Sequence, residues 1–452
     1  MEAAKPAQDV RYSRTPAADG DPAKGRAARE RGVSRLGGPG TGGRTGRLRR
    51  WPVPLVAFLL ASASSRSLAS NGTDATATSI LSAAASVPPA CLVRLAARDG
   101  ADRTLFETVA AATATPGLAV APLHPLEKGG VRWRSLAILP ADGAASPTMP
   151  SGWGVTTVAS IARERDQVTL EVPGLPACVR GAPTTGLAKS ALGGLSTGAA
   201  VLAARNRDGF RNRLVGGRVE RIVELPGERR LLLVRLLDER GADPGLLFEP
   251  SGSLLGSVLP APAGADPALA TVVLEPEPAA AAAVAAPSQA ARDAIAMAPS
   301  PSVLGTIPGL VSQALRLSGP SRFERGLALL DEAARQGGTT VSLLLEKGVM
   351  EFGLGRIESA VIDFRAAAGQ DPSSHLARYN LGIALGTEGK YEAAAIALQS
   401  ARDLRPEHGR TRFQLALALR ALGKRQEARA ELEDLAQIDP VLAGELRVIL
   451  GA

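Results

Sequence analysis

Five side chains in this 452-residue chain are the natural starting points for chemistry: two cysteines and three histidines. The spacing of Cys91 and Cys178 fits no zinc pattern. His124, His375 and His408 are too few and too scattered for a multi-histidine metal site. No metal and no cofactor is therefore expected. A Gly38-x-Gly40-x-x-Gly43 run formally matches the dinucleotide fingerprint. No strand signal precedes it and no helix signal follows it, so its glycines have no phosphate to cradle. If the chain is exported to an oxidising compartment, Cys91 and Cys178 are expected to form a disulfide; two buried free thiols are the alternative.

One histidine and two aspartates stand in a recognisable order. Gly117-Leu-Ala-Val-Ala-Pro-Leu-His124 comes first, then Asp166-Gln-Val-Thr-Leu-Glu-Val172, then Gly241-Ala-Asp243-Pro244-Gly245-Leu-Leu-Phe248-Glu-Pro-Ser-Gly252-Ser-Leu-Leu-Gly256. Together with Gly186–Ser190 and Leu195–Ala203 they resemble trypsin-like serine proteases of the bacterial Deg type. That family places its histidine, aspartate and serine in this order. The resemblance covers about 180 residues. It implies a double β-barrel, with His124 as general base and Asp166 as the group that orients it.

The departures bear on function. The family's serine falls on Asp243 and the following glycine on Pro244. A carboxylate is a poor acyl nucleophile and puts negative charge where an oxyanion must form. Without the hydroxyl, His124 has nothing to deprotonate. Ser251, Ser253 and Ser257 are close in sequence, but they are expected at the turn and next strand rather than on the nucleophile loop. The expectation is a protease-derived domain without activity. A secreted serine-type endopeptidase using another nucleophile, with the C-terminal repeats recruiting its substrate or partner, is the alternative. Should His124, Asp166 and Asp243 converge, two carboxylates beside one imidazole would favour the imidazolium.

The segments that would position these groups are short. From residue 87 to 275 the chain reads as brief apolar runs broken by Gly, Pro and Asp. Examples are Cys91–Leu95, Gly117–Ala121, Ser135–Leu139, Val168–Val172, Ala200–Ala204, Arg221–Leu225 and Arg230–Arg235. Runs of this length and spacing predict an all-β fold. Aromatic residues make up only 3% of the chain, so its cores must be built from small aliphatics.

Charge excludes one class of partner. The net charge is +8, but residues 1–50 hold 12 Lys/Arg against 5 Asp/Glu, a net +7. The remainder is close to neutral, without the interleaved basic and aromatic residues that stack bases, so no nucleic-acid partner is expected. Residues 1–50 are too rich in Gly, Ala, Arg and Pro to bury a core and are expected to be disordered. Arg47-Leu-Arg-Arg50, an apolar run from Trp51 and a Ser67-Leu68-Ala69 cleavage pattern predict a signal peptide over 51–69. The protein is then periplasmic or extracellular, at a bacterial cell envelope. Membrane contact arises only if this segment stays uncleaved. Residues 276–306 are Ala/Pro-rich and read as a linker.

The last third carries a repeat. Four successive units of equal length, 307–340, 341–374, 375–408 and 409–442, superimpose without insertion, with 443–450 as a closing helix. Position 8 is small (Ala314, Gly348, Gly382, Ala416), and so is position 20 (Gly326, Ala360, Ala394, Ala428). Position 24 is large and apolar (Leu330, Phe364, Leu398, Leu432). Gly355, Gly389 and Gly423 recur at the turn, and Pro372, Pro406 and Pro440 at the stop. Small residues let two antiparallel helices approach, and the large one fills the space beside them. This is similar to the tetratricopeptide repeat, which implies an all-α solenoid that binds a protein or peptide. The resemblance places Leu345, Val349, Phe352, Tyr379, Ile383, Phe413, Leu417 and Arg420 on the concave groove, predicting an apolar groove. Packing between repeats is the alternative role for some of them. The chain as a whole is expected to be multidomain, an all-β trypsin-like double barrel followed by the solenoid, and to act as an exported interaction scaffold.

Overall fold

The computed structural model describes residues 91–127, 133–140, 156–178, 195–205, 213–238, 245–274, 302–317 and 320–451. Residues 1–50, the expected leader at 51–69, most of residues 276–306 and Asp243 lie outside these residues.

Twelve strands are described, in two sheets of six. The first comprises β1 (Leu92–Arg98), β2 (Thr104–Ala112), β3 (Leu118–Pro122), β4 (Ser135–Pro140), β5 (Thr157–Ala162) and β6 (Gln167–Glu171), in the order β4-β1-β2-β3-β6-β5. The second comprises β7 (Ala200–Arg205), β8 (Arg213–Glu224), β9 (Arg230–Leu236), β10 (Gly245–Phe248), β11 (Leu254–Ser257) and β12 (Leu269–Leu274), in the order β11-β10-β7-β8-β9-β12. Bridges from Leu136 to Thr156 and from Val258 to Val272 join the open ends of each sheet. Each therefore closes into a six-stranded antiparallel barrel, and read around the ring the two have the same strand order. Closure removes the exposed edges that such short strands would otherwise leave.

Small side chains build these barrels. Val93, Leu95, Ala110, Ala119, Ala121, Val168 and Leu170 fill the first. Val201, Ala203, Val219, Leu232, Val234, Leu247 and Val272 fill the second. A third apolar layer lies between them, with Leu92, Val109 and Val120 facing Leu202, Leu246 and Phe248. β2, Thr-Leu-Phe-Glu-Thr-Val-Ala-Ala-Ala, mixes the strand formers Thr, Phe and Val with a closing run of alanines. It is a strand because β1 and β3 flank it and its last five residues are buried; tertiary packing overrides the helix propensity of its alanines.

The C-terminal region is helical: α1 (Ile307–Arg316), α2 (Pro320–Gly337), α3 (Val341–Gly353), α4 (Ile357–Gln370), α5 (His375–Thr387), α6 (Tyr391–Leu404), α7 (Gly409–Ala421), α8 (Arg425–Ile438) and α9 (Pro440–Leu450). Thr306, Thr340, Ser374 and Asp439 cap α1, α3, α5 and α9 through their side chains. Gly355, Gly389 and Gly423, at φ of +78°, +86° and +80°, turn the chain between the helices of their hairpins. The small residues at position 8 have a steric cause. A Cβ on Gly348 would lie 2.6 Å from the Phe364 ring, and one on Gly382 would lie 2.5 Å from Leu398.

The helical region packs directly against the second barrel. Val303, Leu310, Val311, Ala314 and Leu315 share one apolar core with Val223, Leu231, Leu233, Leu259, Leu269 and Val273 of the second barrel. Polar contacts fix the register of this joint. Thr271 Oγ1 and Ser312 Oγ are 2.6 Å apart. The fully buried Arg316 donates from Nη1 to the Leu259 carbonyl at 2.9 Å. Thr340 Oγ1 donates to the Glu224 carbonyl at 2.8 Å. Arg221 on β8 pairs with Glu346 on α3. The first hairpin is thus the outer wall of the second barrel as well as the start of the array. The reason is legible in α1, which buries nine of its ten residues, too many for one amphipathic stripe.

Candidate functional site

His124 and Asp166 meet at the end of the first barrel. β3 and β6 are neighbours in register, with Pro122 opposite Gln167. His124 follows β3 by two residues and Asp166 immediately precedes β6, so the ladder itself delivers both to one place. The Leu123 amide donates to the Asp166 carbonyl at 2.9 Å and extends the pairing one step beyond the strands. A 3-10 turn at Arg163–Arg165 then presents Asp166 in a left-handed conformation, φ 52° and ψ 45°. This conformation is uncommon for a non-glycine residue, and aspartate is among those that tolerate it best.

The Asp166 carboxylate is fully buried and divides its two oxygens. Oδ1 accepts from the backbone amide of His124 at 2.7 Å. Oδ2 lies 2.5 Å from His124 Nδ1. An imidazole that gives its Nδ1 proton to a buried carboxylate holds one tautomer and leaves Nε2 to accept a proton. The backbone bond fixes the carboxylate while the side-chain bond fixes the ring. The His124 side chain remains 11% exposed, so the base is nearly closed over by protein. A group held this way is organised for general-base chemistry before any substrate arrives.

Two further residues support the pair. Glu127, buried three residues after His124, lies beside Arg163, with 3.3 Å between Oε1 and Nε. This joins the loop that carries His124 to the turn that carries Asp166. Neither residue stands out in the sequence, since a Glu and an Arg in separate loops carry no periodic signal. Among the described residues, no group of three histidine, cysteine or acidic side chains could hold a metal ion.

The other half of the resemblance is placed in part. β10 begins at Gly245, directly after the segment that contains Asp243, and is wholly buried against β7 and β11. Ser251 and Ser253 occupy the turn between β10 and β11, where Ser251 Oγ donates to Glu249 Oε2 at 3.1 Å. Ser257 is buried within β11, and its hydroxyl has no hydrogen-bond partner among the described residues.

Cys91 and Cys178 are joined in a disulfide with a Cα–Cα distance of 5.6 Å. It links the residue before β1 to the segment after β6, and so ties together the two ends of the first barrel.

Eight residues are assigned to the concave groove. Leu345, Phe352, Tyr379, Ile383, Phe413 and Leu417 are all buried in a single core that runs through the hairpins from α3 to α9. Val349 is half-buried and Arg420 is exposed. Of the large apolar side chains that do face solvent, Ile362 and Ile396 occupy the same repeat position on α4 and α6, and Val441 and Val448 project from α9.

A second cluster is not recognisable in the sequence, where its histidines stand out only as candidate metal ligands. His375, Tyr379 and His408 form a three-ring group where the third hairpin meets the fourth. The His375 and His408 rings meet edge to face at 4.6 Å, and Tyr379 lies 5.9 Å from the first and 5.4 Å from the second. Thr411 Oγ1 is 2.9 Å from His375 Nε2 and 2.8 Å from His408 Nδ1. Burial holds the His375 imidazole down to about 4, with smaller contributions from His408 and Arg405. It lowers His408 as well, assisted by Arg410 and Arg405.

Residues 409–441 match the tetratricopeptide repeat family model. No curated protein matches the chain. Among solved structures, the chain is similar to the active form of the Rv3671c protease from M. tuberculosis, at 20% identity and a TM-score of 0.33, over 46% of this chain and 83% of that one. It is also similar to YrrB, described as a TPR protein with an unusual peptide-binding site, at 16% identity and a TM-score of 0.30, over 35% and 80% of the two chains. MamA is a third, at 20% identity and a TM-score of 0.27, over 29% and 78%. On its own strand order and its matched repeat, this chain joins a trypsin-like double β-barrel to an array of tetratricopeptide-like hairpins.

Proposed function

We propose that this protein is an exported interaction scaffold, in which the helical hairpins bind a partner protein and the barrels carry a serine-protease site without its serine. The observation that carries this reading is the pairing of an assembled His124–Asp166 dyad with aspartate at position 243, where the resemblance calls for the nucleophile. Export is supported by the leader-like residues 51–69 and by the Cys91–Cys178 disulfide, a bond that persists in oxidising compartments. The tetratricopeptide-like array supports partner binding. Contacts with the partner fall to the accessible residues of its first helices, Val349, Leu376 and Arg420, because the large apolar residues between them are committed to packing.

One observation favours a second reading, a hydrolase with a different nucleophile. A carboxylate buried and bonded to both the backbone and the ring of His124 is more preparation than an inert domain needs. A fluorophosphonate probe, which labels only an activated serine, separates the two. The chain from residue 70 is expected to remain unlabelled, and Asp243→Ser to gain labelling that His124→Ala abolishes. Labelling of the native protein would establish the hydrolase.

A further inference from the structure

We infer that the joint between the third and fourth helical hairpins is an acid-sensitive hinge, in which two imidazoles share the single hydroxyl of Thr411 and part when both carry a proton. His375 opens α5 and His408 immediately precedes α7, so the two rings stand on opposite sides of the joint. Thr411 is fully buried and sits between them, 2.9 Å from one ring nitrogen and 2.8 Å from the other. A hydroxyl has one proton to give and two lone pairs. With one ring neutral, it donates to that ring and accepts from the other, and all three groups are satisfied. With both rings protonated it receives two N–H donors, and its own proton is left without an acceptor.

Charge acts in the same direction. The groups facing the two rings are Arg405 and Glu407 from the connecting loop, Arg410 from α7, and the neutral Tyr379 from α5. One carboxylate stands against two guanidinium groups. Two imidazolium rings in edge contact would add two more positive charges where burial screens them least. The joint yields by rotating α7–α9 away from α5. Tyr379 stacks on this pair, and Phe413 follows Thr411 by two positions on α7. Both are buried in the closed state. Opening would therefore uncover apolar surface on the first helices of two adjacent hairpins.

Amide hydrogen exchange on the chain from residue 70, corrected for the intrinsic effect of pH, tests this directly. Between pH 7 and pH 4, protection in residues 376–386 and 411–421 should fall at least tenfold, while α1–α3 hold theirs. The fall should coincide with titration of the His375 and His408 imidazoles, followed by NMR on the same sample. In His375→Gln/His408→Gln, glutamine keeps a hydrogen-bonding amide but cannot titrate, and the pH dependence should vanish. Loss of protection in native protein whose imidazoles stay neutral would overturn the inference. So would imidazole titration without loss of protection, or an unchanged pH profile in the double variant. Should the double variant fail to fold, the coincidence of the two native curves decides the matter.

Discussion

Single residues set the tolerances of this molecule. Glycine inside a helix costs about 1 kcal/mol relative to alanine, so Gly348 and Gly382 must be held by something stronger. At Gly348 that is the Phe364 ring, a rigid body 2.6 Å from where a Cβ would stand. At Gly382 it is Leu398, a side chain that can change rotamer. Alanine already faces leucine across the same gap in the fourth hairpin, as Ala416 and Leu432. Gly382→Ala is therefore expected to cost less than Gly348→Ala, because Leu398 can adjust, but not to be free, since the Leu398 Cγ and the Ala394 carbonyl would lie 2.5 and 3.2 Å from the new Cβ. Gly348→Ala should cost on the order of 1–3 kcal/mol. Urea unfolding of the two variants side by side checks the difference, and equal costs would remove the role of Phe364. His375 makes the second residue-scale prediction. Its folded-state value of about 4 lies below the ordinary 6.5, so between these limits the unfolded chain binds a proton that the folded chain refuses. The stability contributed by its neutral form is complete above pH 6.5 and is lost as the pH falls toward 4. After allowance for solvent screening and relaxation around the ring, the loss amounts to roughly 2 kcal/mol. Denaturant titrations of native protein and His375→Gln at pH 7 and pH 4.5 should differ in slope with pH, and parallel curves would contradict the assignment. The sequence made the dyad legible because His124 and Asp166 each sit in a patterned stretch beside a strand. It concealed Glu127 and Arg163, and it concealed the partnership of His375 with His408, which stand in different hairpins and meet only once those hairpins stack.

Elements were legible where packing is local. The regular period exposed the hairpins because each repeats one internal contact, the small position 8 against the large position 24. β2 was less legible because three alanines close its run of strand formers, and pairing with β1 and β3 fixes it as a strand. The docking of α1 was hidden for a related reason. Its partners lie far back in the chain, between Val223 and Val273, and no short pattern records them. The polar residues buried in α1 were the available signal. Ser312, Gln313 and Arg316 are out of place in a buried helix unless each has a fixed acceptor or donor, and each does. Arg316→Ala removes a charge-assisted bond to the Leu259 carbonyl together with the packing of the side-chain stem. A cost on the order of 3 kcal/mol is expected. It should appear in hydrogen exchange as loss of protection in both α1 and β12. Loss confined to α1 would mean that the helix only rests on the barrel.

At the scale of the whole molecule, the shared core makes the usual division into a β-domain and a helical domain physically wrong at its boundary. The outer face of β8, β9 and β12 is apolar, and α1 and α3 lie against it. A chain cut in the linker would expose Leu231, Leu233, Leu259, Leu269 and Val273, each worth about 1.5–3 kcal/mol when fully buried. That sum, about 8–15 kcal/mol, is comparable to the whole ~5–15 kcal/mol by which a domain is usually stable. The Cys91–Cys178 disulfide does not compensate. It closes a loop of 87 residues around the first barrel, which stabilises by about 4 kcal/mol, while the uncovered face belongs to the second. Residues 70–301 alone should therefore aggregate or unfold at low urea even with the disulfide intact. Residues 70–370, which keep the first two hairpins and the Arg221–Glu346 pair, should unfold near the midpoint of the β-region in the full chain. Equal stability of the two fragments would mean that the barrels stand alone and that the hairpins are a separable module. Stability only in the longer fragment would mean that the array is held at a fixed angle to the His124–Asp166 site, so that a bound partner is presented to that site in one orientation.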